Sequence, residues 1–244
     1  KVLVVFEKNI DDFDLENHTT TYLDYENDFK REKIIDAFTA ENVFLVLSIT
    51  PDNKLKFTHF SNNGKNENSI DLGTKNTENG NSIDNHLISA IFDFGLTKID
   101  TDLFTPLYIA TAKVKRYLKE NTYVLSFDVK NETSLISINL TDFSFKKEQF
   151  PFEKFEKKSG SNSFLHQNIL YQLTANSEAL SLTGIDLKTK KTIETYRVNS
   201  STEIDFKNTP LLQQSENGKT RELKNTAKFL SKIDFENVGI SIYN

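Results

Sequence analysis

Along this chain the apolar residues gather in short runs rich in Val, Ile, Leu, Phe, Tyr and Thr, and polar turn residues part them. Val2–Phe6, Val43–Thr50, Tyr123–Val129, Leu135–Leu140, Ile169–Leu173, Ala179–Leu187 and Thr192–Val198 all have this form. β-Branched and aromatic side chains fit a pleated, half-buried surface, so these runs predict strands. Pro51-Asp52-Asn53, Lys130-Asn131-Glu132 and Asn176-Ser177-Glu178 separate neighbouring runs closely enough to predict hairpins. Gly239–Tyr243 predicts a last strand.

Helical spacing is scarcer. Asp28–Phe38 predicts a short amphipathic helix with Asp28 as its N-cap. Arg221–Ile233 places Leu223, Ala227, Leu230 and Ile233 at helical spacing and also fits a loop followed by a strand. The polar stretch Ser61–Asn85 has little to bury and reads as a long loop or an exposed hairpin. Lys157–Ser163 and Gln213–Thr220 read as connectors.

A short pattern recurs: an apolar residue, Asp or Asn, Leu, any residue, then Asn, Asp or Thr. It occurs at Phe13-Asp14-Leu15-Glu16-Asn17, Ile70-Asp71-Leu72-Gly73-Thr74, Ile138-Asn139-Leu140-Thr141-Asp142 and Ile185-Asp186-Leu187-Lys188-Thr189. Its physical sense is a strand that ends on an inward apolar residue while the Asp or Asn side chain bonds nearby backbone to start a turn. The last two copies belong to a longer repeat of 47 positions, the spacing of Tyr123 from Leu170 and of Leu140 from Leu187. Glu41-Asn42-Val43-Phe44 echoes Glu120-Asn121-Thr122-Tyr123, whereas the copy at Ile70 is out of phase with the strand before it. A unit of about 40–50 residues made of short strands and tight turns is the sign of a propeller blade. On these residues the chain resembles the β-propeller families whose blades end a strand in an Ile-Asp-Leu-x-Thr turn, best over Leu107–Val198. The resemblance implies an all-β fold, a β-propeller-like array of antiparallel blades, with another β-sandwich or repeat sheet as the alternative. It implies one domain over 1–244, of about five units or an incomplete part of a larger ring. Two familiar blade types do not fit: the chain has no Trp for a Trp-Asp blade, and it lacks the paired glycines of kelch blades.

Composition narrows the partners. The formal net charge of −5 and pI near 5.5 argue against a dedicated nucleic-acid binder, which carries a basic stripe, and against an anionic membrane surface. No apolar run reaches the roughly 18 residues of a membrane span. Without cysteine there is no disulfide, zinc-thiolate site or thiol nucleophile, and the compartment stays open. Lys1 at the start and the lack of Met fit a trimmed product of a longer gene, and a periplasmic, cell-surface or secreted setting is the expectation. Asn, at 25 copies, and the excess of Lys over Arg match the usage of an AT-rich bacterial genome, so the sequons at Asn17, Asn131, Asn139 and Asn199 carry little weight.

Candidate chemistry is thin. Asp11, Asp12, Asp14 and Glu16, and likewise Asp24, Glu26 and Asp28, could hold a hard cation, but neither set has the Gly and distal Glu of a calcium loop, so a solvated face is the expectation. His18, His59, His86 and His166 stand too far apart in sequence for a helical metal pair. Asp93-Phe94-Gly95 matches a kinase tripeptide without its partner motifs and reads as a strand end. Ser144-Phe145-Lys146-Lys147 matches Ser-x-x-Lys, but Phe143 and Phe145 suggest an alternating strand. Phe143, Phe145, Phe150, Phe152 and Phe155 read as packing between blades. No catalytic, cofactor-binding or metal residue can be named. The expectation is a non-enzymatic binding or scaffold protein with a protein or glycan partner. A carbohydrate-active enzyme with carboxylates converging from several blades, and a structural domain of a larger secreted protein, are the alternatives.

Overall fold

The computed structural model describes residues 2–5, 10–14, 19–23, 29–41, 43–61, 64–72, 86–215, 217–233 and 237–243. Among the described residues eighteen strands stand against three short helices, so the fold is all-β. Two compact units are present: 1–96 with 139–143, and 97–138 with 144–244.

In the first unit, β1 (Val2–Val5), β2 (Ile10–Asp14) and β3 (Thr19–Leu23) form an antiparallel sheet in that order. Next, β4 (Lys33–Ala40), β5 (Val43–Ile49), β6 (Leu55–Ser61) and β7 (Gly64–Ile70) form a four-stranded antiparallel meander. The helix predicted over 28–38 is overturned: Lys33–Ala40 is strand. Its apolar residues pair along β5 from Lys33↔Ile49 to Ala40↔Val43, with a bulge between Ile34 and Asp36 that mimics a helical offset in the sequence. Phe29, Phe44, Val46 and Phe60 form a core cluster, and beside it Lys56 pairs with Glu32 at 2.6 Å. The polar stretch after β6 is a hairpin as far as Ile70, and 73–85 lies outside the described residues. Helix α1 (His86–Phe94) follows. Asp93-Phe94-Gly95 is its C-terminus and not a strand end, for Gly95 adopts φ 73° and its N–H reaches Ile91 O at 3.0 Å, a helix-closing turn that favours glycine.

In the second unit, β8 (Thr97–Ile99) runs parallel to β9 (Val114–Lys119), with the short helix α2 (Leu107–Ala110) between them. Strands β9, β10 (Thr122–Val129), β11 (Glu132–Asn139) and β12 (Phe145–Pro151) form one meander. Strands β13 (Gly160–His166), β14 (Ile169–Ala175), β15 (Ala179–Asp186) and β16 (Thr192–Asn199) form the next. The repeat of 47 positions therefore carries β10 onto β14, β11 onto β15 and β12 onto β16, first residue onto first residue. Each sheet has the up-and-down order of a blade. Lys157–Ser163 is not all connector, because β13 begins at Gly160. Beyond β16, β17 (Leu212–Gln214) and β18 (Thr220–Glu222) make a small hairpin, and α3 (Thr226–Leu230) is capped by Asn225. Arg221–Ile233 thus holds both a strand and a helix. Gly239–Tyr243 pairs with no described strand. It has no regular secondary structure; Ile240 and the preceding Val238 are buried, and Ser241 Oγ donates to Thr105 O at 2.6 Å.

The recurring turn pattern works as its chemistry requires. β2, β7, β11 and β15 all end on it. Asn139 Oδ1 accepts from Thr141 N at 2.8 Å, and Asp186 Oδ1 from Thr189 N at 2.7 Å. The copy at Ile70 loses phase because it ends the fourth strand of its meander, whereas the later two end the third of theirs, β9–β12 and β13–β16.

Candidate functional site

Two places in the second unit gather polar side chains, and they differ in how those groups are spent. The first is buried between the two meanders. Lys115 of β9 and Asp128 of β10, both 0% exposed, pair at 2.9 Å. Each Asp128 oxygen accepts two hydrogen bonds. Oδ1 takes Thr133 Oγ1 at 2.9 Å and Ser163 Oγ at 2.6 Å, and Oδ2 takes Lys115 Nζ and, at 2.8 Å, Ser163 N. A carboxylate offers about four acceptor positions, so this one is full. Lys115 Nζ also donates to Asn162 Oδ1 at 3.2 Å, and Asn162 Nδ2 reaches Thr111 O and Ala112 O. Gln172 of β14 donates to Thr133 Oγ1 at 3.1 Å and to Phe150 O at 2.9 Å.

These bonds follow the repeat. Lys115 and Asn162 stand 47 positions apart and touch, as do Tyr117 and Phe164, whose rings meet edge-on at 6.0 Å. The first strands of the two repeats therefore run side by side. The outward backbone groups of β13 are taken by side chains from the preceding repeat: Ser161 O by Lys113 Nζ at 2.6 Å, Ser163 N by Asp128, and Leu165 N by Tyr117 OH at 3.2 Å. Burial pushes the Lys115 and Lys113 ammonium groups down, with the Asp128 carboxylate opposing it, and pushes the Tyr117 phenol up. With every acceptor of Asp128 engaged, the cluster is a fastening and has no lone pair left for a substrate.

The second place is a cleft of about 580 Å³ at the turn end of the same sheets. One wall carries Lys119 and Glu120, where β9 turns into β10. The facing wall carries His166, Gln167 and Asn168, where β13 turns into β14. These are repeat-equivalent turns, and Glu120 and Gln167 both adopt positive φ, 50° and 54°. Thr101 and Asp102 close a third side. Thr122 and Ser137 add hydroxyls, and Tyr117, Leu118, Val124, Leu165 and Leu187 supply an apolar lining. Here seven polar side chains are unspent. The side chains of Asp102, Lys119, Glu120, Thr122, Ser137, Gln167 and Asn168 engage no hydrogen bond or ion pair among the described residues, whereas the buried cluster below is saturated.

A third feature is apolar. Leu103, Phe104, Leu107, Tyr108 and Tyr243 are exposed, Tyr108 to 79%, and Phe104 meets Tyr243 edge-on at 5.1 Å.

The sequence candidates fare differently. β2 carries Asp11, Asp12 and Asp14, while Glu16, Asp24, Glu26, Asp28 and His18 lie outside the described residues. His59 in β6 meets Asn68 at 2.8 Å, and burial lowers its imidazole. His86 opens α1, and His166 ends β13 in the cleft wall. Among the described residues no three His, Asp or Glu groups converge as metal ligands. Ser144 lies before β12 and Lys147 within it, so the two do not share a helical turn as a Ser-x-x-Lys pair requires. Of the aromatic series, Phe150 and Phe152 are core residues and Phe145 is exposed. Phe143 sits in a turn at φ 57° and not on an alternating strand. Lys115 and Asp128 escaped the sequence reading. The signal for Asp128 was a charge on a strand between Phe127 and Val129, and for Lys115 its alignment on Asn162 in the repeat.

No protein-family model matches the chain, and no curated protein matches it. Among solved structures, the β-propeller domain of Nup133 from Vanderwaltozyma polyspora shares 13% identity over 70% of this chain, with a TM-score of 0.27. The matched part spans 48% of that domain, and the two superpose too loosely for the likeness to bear on fold or function.

Proposed function

We propose that the chain is a non-enzymatic binding or scaffold protein that holds a protein or glycan partner, with the cleft of the second unit as its binding surface. The supporting observation is the contrast in how polar groups are spent. The buried Lys115–Asp128 cluster is closed by structural bonds, while the side chains of Asp102, Lys119, Glu120, Gln167 and Asn168 on the cleft rim bond nothing among the described residues. Unmet polar groups around a cavity of ordinary ligand size are what a binding site presents before its ligand arrives. Asp102 and Glu120 stand exposed in the rim, without the apolar enclosure that makes a carboxyl group a proton donor. The reading of the repeat as a bacterial propeller-type protein belongs to the same proposal, supported by the blade-like strand order and by residue usage.

The test compares the wild-type chain with a cleft-blocked variant, Asn168→Arg with Thr122→Arg, in native mass spectrometry and cross-linking against source extract. The expected result is a complex that forms with the wild type and is lost in the variant. Complexes indifferent to the block, or turnover of a small molecule that vanishes in Asp102→Asn with Glu120→Gln, would overturn the proposal.

A further inference from the structure

The lining of the cleft narrows the chemistry of its occupant. An anionic ligand is disfavoured, because the rim carries two carboxylates, Asp102 and Glu120, against the one ammonium of Lys119. A divalent cation lacks a cluster of ligands among the described residues. A flat aromatic ligand lacks an exposed platform, for the two aromatic rings of the lining, Tyr117 and His166, are both buried, and the Tyr117 hydroxyl is engaged by Leu165 N.

What remains is a rim of polar groups that donate and accept, above apolar patches. The carboxylates of Asp102 and Glu120 accept only, the Lys119 ammonium donates only, and the amides of Gln167 and Asn168 do both. Leu118, Val124 and Leu187 interrupt this rim with hydrocarbon. A neutral polyol ring has the matching surface: hydroxyls around its equator, each able to give and take a hydrogen bond, and C–H groups on its faces. The volume of about 580 Å³ falls within the range of small-molecule sites, roughly 300–1,000 Å³. We infer that the cleft is a saccharide-binding site for a neutral mono- or disaccharide, held by Asp102 and Glu120 as acceptors and by Asn168 and Gln167 across the cleft. The inference rests on the proposed binding function and names the ligand class of its site.

Saturation-transfer NMR on the full chain tests it, with glucose, galactose, mannose, N-acetylglucosamine, maltose, cellobiose and lactose as probes. The expected result is transfer to the C–H face of at least one sugar with millimolar affinity. Asp102→Ala and Asn168→Ala each weaken it about 3- to 10-fold, the worth of one lost hydrogen bond, and Lys207→Ala leaves it unchanged. Both cleft positions are exposed, so folding is preserved in the variants. Absence of transfer from every probe, or transfer equal in the wild type and the cleft variants, overturns the saccharide assignment. A peptide from a displayed library that protects Asn168 and Glu120 from exchange, with no sugar bound, overturns it too while leaving the binding function standing. Cleavage of a disaccharide that is lost in Asp102→Asn upholds the sugar and overturns the non-enzymatic reading.

Discussion

Removing the Asp128 carboxylate is the sharpest perturbation the second unit offers. Asp128→Ala deletes four hydrogen bonds at once and leaves the Lys115 ammonium, 0% exposed, with Asn162 Oδ1 at 3.2 Å as its remaining partner among the described residues. Breaking a buried ion pair by removing one partner costs about 3–5 kcal/mol, and the orphaned Ser163 N–H adds about 1 kcal/mol. The expected loss is therefore about 4–6 kcal/mol, a large share of the roughly 5–15 kcal/mol that holds a domain folded. Lys115→Met removes the other partner and should cost less, about 2–3 kcal/mol, because the carboxylate keeps three donors from Thr133 and Ser163. Hydrogen exchange read by mass spectrometry on peptides spanning 114–175 isolates this unit from the other, alongside urea unfolding followed by far-UV circular dichroism. The reasoning fails if Asp128→Ala loses under about 1 kcal/mol, or if Lys115→Met proves the more damaging of the two.

Other outcomes follow from single contacts. Gly239→Ala would set a Cβ 2.6 Å from Thr111 Cγ2 and 3.1 Å from Thr111 Cα and N, so it should cost about 1–3 kcal/mol. Limited proteolysis should then cut near 237–243 faster than in the wild type. Asp52 is bonded by Lys54 and Thr50, which hold its carboxyl at about 2, below its ordinary value of 3.8. A depressed acid stabilises above its unfolded pKa and ceases to do so as pH falls through the folded one, so the turn at Thr50–Lys54 should hold to about pH 2, and carboxyl-carbon NMR titration of Asp52 reads the value directly. Lys130, at φ 53° between β10 and β11, should gain about 0.5–1 kcal/mol on change to Gly, because a side chain there strains the backbone. A thermal melt of Lys130→Gly checks the sign.

Strand positions were legible because alternation and β-branching report a pleated surface directly. The repeat was legible over β10–β12 and β14–β16 because insertions are absent between them. The error over 28–38 has a local cause: one bulged residue at Ile35 shifted the apolar positions toward a period near that of a helix. Asp93-Phe94-Gly95 misled because Gly closes helices and strands alike, and nothing in those three residues separates the two. Tertiary partners were the part that sequence hides most completely. Asp128 looked like one more polar residue on a strand, and only folding brings Ser163, 35 positions onward, against it. The cleft was invisible for the same reason, since its walls are two turns, each unremarkable alone, that face one another once the repeats stack.

The capture of β13 by side chains from the sheet before it also bears on how the chain is made. Among the described residues β13 has no strand partner on the side away from β14, and a bare strand edge invites pairing with other chains. Here Lys113, Asp128 and Tyr117 blunt that edge, and all three are synthesised before it. During N-to-C synthesis the caps are in place when the edge emerges, so the vulnerable surface is never presented raw. A fragment starting at Ser144 would carry the same strands with none of the caps, and self-association through β13 is the fate its edge would meet.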